Sequence, residues 1–296
     1  MSKILITGGT GLIGKKLQQQ LEEKNHTVVI LTRNPALKNE FKWDIAKEYV
    51  DDNAFKDITH IIHLAGAGIA DKRWTNKRKQ ELIDSRVQSA NLLFTKVKEL
   101  KINLKGFISA SGIGYYGAIS SEEIFSENHL SGNDFIAKVC FEWEKAAHQF
   151  ERLNIPVTIL RTGLVLTKNG GALPKINTPL FLATLGTGKQ YMPWIHIDDL
   201  CDIYLKSVED IRFTGIYNTV APEHETNKSF TKKLSKSIAK PIFPLNAPSF
   251  ILKTVLGEMS SILLKGSRIS SIKITTIYPF IFPDLKSALK NIYQNE

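Results

Sequence analysis

Lys3-Ile4-Leu5-Ile6-Thr7-Gly8-Gly9-Thr10-Gly11-Leu12-Ile13-Gly14 is an apolar run that stops at glycines and passes straight into a helical pattern. The spacing predicts a strand, a tight loop and a helix that places Leu12, Ile13, Leu17 and Leu21 on one side. Gly9, Gly11 and Gly14 fit G-x-G-x-x-G. In that pattern one glycine allows the turn, one lets backbone approach a pyrophosphate, and one lets helix pack on strand. The free N–H groups of the helix start then face the anion. Gly8, Gly9, Thr10, Gly11, Leu12, Ile13 and Gly14 are therefore the first candidate contacts of a dinucleotide.

Outward from this stretch, residues 27–31 form a second apolar run rich in β-branched side chains, the expected second parallel strand. A carboxylate at its end would bind the ribose hydroxyls of NAD, but the run ends Thr32-Arg33-Asn34. A guanidinium there suits the 2′-phosphate of NADP, so NADP is expected over NAD, with Thr32 and Arg33 as contacts. A third run, 58–68, follows a loop containing Trp43-Asp44 and ends in Leu64-Ala65-Gly66, small enough for close approach of a ligand. His60 and His63 lie on opposite faces of that strand, which argues against a shared metal, and none is expected. Strands are also expected at 155–161 and 216–220, and the run 106–117 is expected to combine a strand end with a flexible loop, alternating with amphipathic helices. The fold class is thus α/β, a doubly wound, mainly parallel Rossmann sheet with a smaller C-terminal substrate lobe.

The expected division is a dinucleotide-binding domain over 1–222 and a small domain over 223–296, with 164–195 contributing to the substrate lobe. Within that contribution an apolar helix is expected at 176–185. Asp198 or Asp199 is expected to cap the helix that begins near Leu200. Past 222, helices are expected at 228–239 and 249–264, then a β-like 272–277 and a short helix through Leu289. Leu252, Val255, Leu256, Met259, Leu263 and Leu264 make a stripe expected to pack on the sheet or on a partner subunit, a homodimer being one option. Few cations share that helix, which argues against a membrane-surface role.

The net charge of +10 is spread over scattered lysines with no aromatic-interleaved basic motif, so no nucleic acid partner is expected. Two cysteines in 296 residues suit reduced thiols in a cytoplasm-like compartment. No run of about 18 charge-free apolar residues is present, and no membrane partner is expected.

The opening glycines, Leu64-Ala65-Gly66, the loop Ser111-Gly112-Ile113-Gly114-Tyr115-Tyr116-Gly117 and Trp194-Ile195-His196-Ile197-Asp198-Asp199-Leu200 occur in a telling order. In it the chain resembles the extended short-chain dehydrogenases/reductases of the NAD-dependent epimerase/dehydratase group. It is most similar to the YfcH-like "epimerase family" branch, with its Arg73-Trp74, Ser85-Arg86-Val87 and Trp143-Glu144 elements and a small C-terminal domain of unknown function. The resemblance implies a tyrosinate that moves a hydroxyl proton, a lysine four residues on that lowers its pKa, a serine that holds the substrate oxygen, and hydride exchange with a nicotinamide. It points to Ser111 for the serine, with Ser109 second, and to Arg161, Thr162 and Gly163 beside the nicotinamide. An ion pair at a strand end is the other reading of Arg161.

The Tyr-x-x-x-Lys element itself is missing. If Lys138 fills the lysine place, Asp134 stands in the tyrosine place; if Phe135 fills the tyrosine place, Val139 replaces the lysine; either way Tyr115 or Tyr116, Tyr116 foremost, is the candidate substitute acid. The expected catalytic set is Ser111, Tyr116 and Lys138, acting on a small, sugar-like or carbonyl substrate as an NADP-dependent oxidoreductase or epimerase. The alternative is a non-catalytic NADP(H)-binding sensor.

Overall fold

The computed structural model describes residues 1–294. In chain order its elements are β1 (Lys3–Thr7), α1 (Leu12–Glu23), β2 (Thr27–Thr32), β3 (Glu40–Asp44), β4 (Tyr49–Val50), β5 (His60–His63), α2 (Asn76–Glu99) and β6 (Gly106–Gly112). Then come β7 (Ile124–Phe125), α3 (Phe135–His148), β8 (Val157–Thr162), β9 (Leu164–Leu166), α4 (Leu173–Ile176), β10 (Trp194–His196), α5 (Ile197–Glu209) and β11 (Gly215–Thr219). The last are α6 (Asn227–Ser237), α7 (Ser249–Leu256), α8 (Ser261–Leu264), β12 (Arg268–Ile269), α9 (Ile272–Thr275) and α10 (Leu285–Gln294).

Eight strands form one sheet in the order β11-β8-β6-β5-β1-β2-β3-β4, parallel except for the terminal β4. The chain winds one way from β1 through β2 and β3, and the other way from β5 through β6, β8 and β11. The reversal leaves a crevice between the carboxyl ends of β1 and β5. Alternation along each strand feeds two cores. Ile4, Ile6, Val28 and Ile30 pack with Leu17, Leu21, Leu200 and Tyr204 of α1 and α5, while Leu5, Val29 and Leu31 pack with Leu92, Leu93 and Phe150 on the α2–α3 side. This is the doubly wound α/β arrangement that continuous apolar strands require, since both faces of a parallel sheet must be covered.

A third core joins Leu166, Leu173, Leu182 and Trp194 to Phe230 and Leu234 of α6 and Leu285, Leu289 and Ile292 of α10. Two small parallel pairs, β9 with β10 and β7 with β12, stitch this lobe to the strand ends. Asp199 fastens it further, accepting from the Tyr278 hydroxyl (2.8 Å) and the backbone N–H groups of Ile281 (2.7 Å) and Phe282 (3.1 Å).

Several local expectations are corrected. Trp43-Asp44 is the end of a strand, not a loop. The helix expected at 176–185 stops at Ile176, because Thr178 precedes Pro179 and is pushed out of helical backbone. The stretch beyond it instead runs beside residues 241–247. Residues 272–275 are helical rather than β-like, since one helical turn drives both Ile274 and Tyr278 into the sheet core. The stretch 249–264 is broken at Gly257, whose φ of 61° starts a 3-10 turn. The cap of α5 is His196, whose Nδ1 accepts from Asp198 N–H, while Asp198 pairs with Lys16 (3.1 Å).

Candidate active site at the carboxyl edge

The loop after β1 is closed by Gly11 N–H donating to Gly8 C=O (3.0 Å), with Gly8 at φ 73°, where a side chain would strain the backbone. A Cβ on Gly14 would lie 2.4 Å from the Gly8 oxygen, so α1 can press on the loop only with glycine there. At Gly11 the same atom would meet only the Gly8 oxygen, at 3.2 Å, and otherwise open space. Gly11 is also the N-cap of α1 and brings no capping side chain, and the first turn carries no acid. The first N–H groups of α1 are thus left without a capping side chain, as an anion site at a helix start requires. Gln18, which sequence reasoning missed, holds the loop from behind, donating to Gly9 C=O (2.7 Å) and Gly14 C=O (3.3 Å).

The other expected cofactor residues divide into two groups. Thr32 ends β2 and Arg33 follows it, exposed, at the same edge as the glycine loop. Leu64, Ala65 and Gly66 lie against that loop: Ala65 N–H donates to Thr7 Oγ1 (3.2 Å), and a Cβ on Gly8 would touch the Leu64 carbonyl carbon at 3.0 Å. Residues 66–69 are then pinned by α2. Arg86 donates to Ala67 C=O (3.0 Å), Arg78 to Gly68 C=O (2.6 Å), and Ser85 Oγ accepts from Ala67 N–H (3.0 Å). Trp74 adds a bond to Ile69 C=O (2.8 Å). Trp74, Ser85 and Arg86 of these elements thus have a mechanical meaning, as clamps on the loop that follows β5, while the Arg73 guanidinium lies beside Gly257. Arg86 also lies over the Trp143 ring (4.7 Å), and burial lowers its pKa to about 10.

The second group turns toward the interior, with Ser109, Ser111 and Arg161 buried and Thr162 and Gly163 half-buried, and Arg161 forms the ion pair of its other reading. Ser109 is fully buried and bonds to the adjacent Ala110 C=O (3.0 Å). Ser111 donates its hydroxyl proton to Glu144 Oε1 (2.6 Å), and Arg161, 1% exposed, meets Glu144 with two parallel bonds of 2.9 and 2.8 Å. Arg161 also donates to the Tyr116 hydroxyl (2.9 Å) and lies 3.4 Å from the centre of the Tyr115 ring, while Tyr116 donates to Asn218 Oδ1 (2.7 Å). Burial is the main cause that pushes the Tyr116 phenol up to about 12, with Arg161 opposing it. Ser111, Tyr116 and Arg161 therefore form a buried network that ties the ends of β6, β8 and β11 to α3. Asn218 extends it to Ser270 C=O in the lobe (3.2 Å). Thr162 Oγ1 accepts from Thr219 (3.1 Å), and Gly163 is small because the Pro193 oxygen would lie 2.8 Å from a Cβ.

Around the missing tyrosine place, Asp134 caps α3 through Ala137 N–H (3.0 Å) and accepts from Ala118 N–H (2.6 Å). Lys138, one turn into α3, is exposed. His63 is buried between Trp143, whose indole donates to Nδ1 (3.3 Å), and the Ser89 hydroxyl (2.8 Å); burial, helped by Arg86, lowers its pKa to about 3.

Comparison with known proteins agrees with this geometry. Residues 4–219 match the NAD dependent epimerase/dehydratase family and 247–292 match a domain of unknown function, DUF1731. An "epimerase family protein" of Staphylococcus saprophyticus is 34% identical over 302 residues, and one of Staphylococcus aureus 33% over 304, each match covering 99% of both chains. Among solved structures, human epimerase family protein SDR39U1 (isoform 2) with NADPH superposes with a TM-score of 0.88 at 28% identity, over 99% of this chain and 100% of that one. A nucleoside-diphosphate sugar epimerase from Corynebacterium glutamicum gives 0.80 at 28%, over 99% of this chain and 58% of that one. With a glycine cradle at the switch point of a doubly wound sheet and a family match over most of its length, the chain belongs to the NAD-dependent epimerase/dehydratase family.

Proposed function

We propose that the protein binds NADP(H) across the crevice between β1 and β5 and exchanges hydride with a small carbonyl or sugar-like substrate held under the C-terminal lobe, built from 164–195 and 223–296. The observation that carries this reading is the pairing of an open, uncapped α1 N-terminus at Gly11 with Arg33, rather than a carboxylate, at the end of β2. The bound nicotinamide supplies the hydride chemistry. The chain's own residues bind and orient: the first turn of α1 takes the pyrophosphate, and Arg33 pairs with the 2′-phosphate in the manner a guanidinium allows. The loop 64–68, clamped by Arg78 and Arg86, fixes the height at which the ligand rests on the sheet edge. The NADPH named for the human relative supports the same choice of cofactor.

In this reading Ser111, Tyr116 and Arg161 are positioning residues, and Lys138 is the one of the three expected catalytic residues with an exposed side chain. Titration with NADPH and NADH tests the proposal. Wild type is expected to prefer NADPH, and Arg33→Ala to lose about tenfold or more of NADPH affinity while NADH affinity stays put. Equal loss for both nucleotides, or none, refutes the role of Arg33.

A second reading rests on the same buried network. The Ser111 and Tyr116 hydroxyls are consumed in holding Glu144, Arg161 and Asn218, which favours a protein that senses NADP(H) without turning it over. Hydride loss from NADPH against a panel of carbonyls and sugar nucleotides separates the two, since tight binding with no turnover selects the sensor.

A further inference from the structure

Two segments of the lobe run side by side. Leu182 pairs with Ile242 and Leu185 with Ala247, and backbone bonds join Phe243 N–H to Leu182 C=O (2.8 Å) and Gly186 N–H to Ala247 C=O (2.9 Å). The Phe181 and Phe243 rings meet at 4.9 Å, and α7 continues directly from the second segment. The outer side of this ribbon is apolar: Leu180 is 79% exposed, Leu245 70%, Phe250 68% and Val255 63%. Every residue of α7 is exposed or half-exposed; of the expected stripe Val255 and Leu263 face outward, while Leu256 packs beside Trp74 and Met259 is buried. Contiguous apolar surface of this kind marks an interaction face.

The charges around it have one sign. Residues 180–189 and 240–257, which build the face, contain no aspartate or glutamate. Lys253 lies on α7, Lys240 reaches Asn177 and Thr178 beside Leu180, and Lys228 and Lys189 flank Gly188, with Lys228 N–H donating to Gly188 C=O (2.9 Å). Glu258, which follows α7, pairs with Lys79, and Glu225 is buried against Lys233. The helix alone carries few cations; the fold brings the others to it from 189, 228 and 240.

We propose that this face seats on an anionic lipid surface, its apolar side chains entering the headgroup region and its lysines pairing with lipid phosphates. A second copy of the chain is the poorer occupant, because a two-fold contact lays the face on itself and sets lysine against lysine without a carboxylate between them. A nucleic acid would take the lysines but leave Leu180, Leu245 and Phe250 uncovered. The mode is attachment to a surface, and no described helix is long and apolar enough to cross a bilayer.

Flotation of the full chain with vesicles of phosphatidylcholine alone, or mixed with phosphatidylglycerol, tests the proposal. The protein is expected to float with the anionic vesicles, less so at high salt. The pair Leu245→Ser and Phe250→Ser, and separately Lys253→Glu, should each reduce the bound fraction about tenfold or more, with melting temperatures unchanged because the sites are exposed. Failure to float, binding that the variants do not weaken, or a dimer in sedimentation that the same variants abolish, each overturns it.

Discussion

Arg161 and Glu144 illustrate how little of a residue's duty is visible from its neighbours in the chain. A strand-end arginine reads equally well as a ligand contact or as half of an ion pair, and its partner lies 17 residues away on α3. Ser111 and Tyr116 look reactive because hydroxyls follow a strand into a flexible loop; that their hydroxyls turn inward depends on Glu144, Arg161 and Asn218 being waiting there. The network is fully paired, and such pairs reveal themselves when half is removed. Arg161→Met strands the Glu144 carboxylate in the interior and is expected to cost about 3–5 kcal/mol in urea denaturation, with Glu144→Leu added to it recovering much of the loss. A loss under about 1 kcal/mol for the single variant would show that the pair does not hold the strand ends.

At the scale of elements, the β1–α1 unit was legible because its signals agree: apolar run, glycine spacing and amphipathic helix all specify one geometry. The lobe was less so: at 176–185 the local constraint of Pro179 outweighs the apolar pattern, and at 272–277 the burial of Ile274 and Tyr278 overrides a β-like propensity. The glycines of the first unit can be told apart by experiment. Gly11→Val meets only the Gly8 oxygen, at 3.2 Å, and should leave the melting temperature within a few degrees while weakening nucleotide binding about 100-fold. Gly14→Val drives into the Gly8 oxygen and the Gly9 backbone and should unfold the unit, seen as loss of cooperative melting. If Gly11→Val binds nucleotide as wild type does, the cradle is not the pyrophosphate site.

Across the whole molecule, buried neutral histidines set the response to acid. Burial is the main cause that lowers His60 to about 4 and His63 to about 3, against an ordinary value of 6.5. The unfolded chain therefore takes up protons below pH 6.5 that the folded chain refuses, so stability is full above that pH and is lost progressively as pH falls toward 4 and then 3. Melting temperature is expected to drop steadily from pH 7 to pH 4.5, and His63→Asn to flatten the slope even if it lowers the level; an unchanged slope would acquit His63. The shared third core has a bearing on synthesis. Leu166, Leu173 and Trp194 are covered by Leu285, Leu289 and Ile292, which leave the ribosome about 100 residues after Trp194. At roughly 5–20 residues per second that is about 5–20 s during which the emerging sheet carries a naked apolar flank, the interval in which a chaperone would have its claim on the nascent chain.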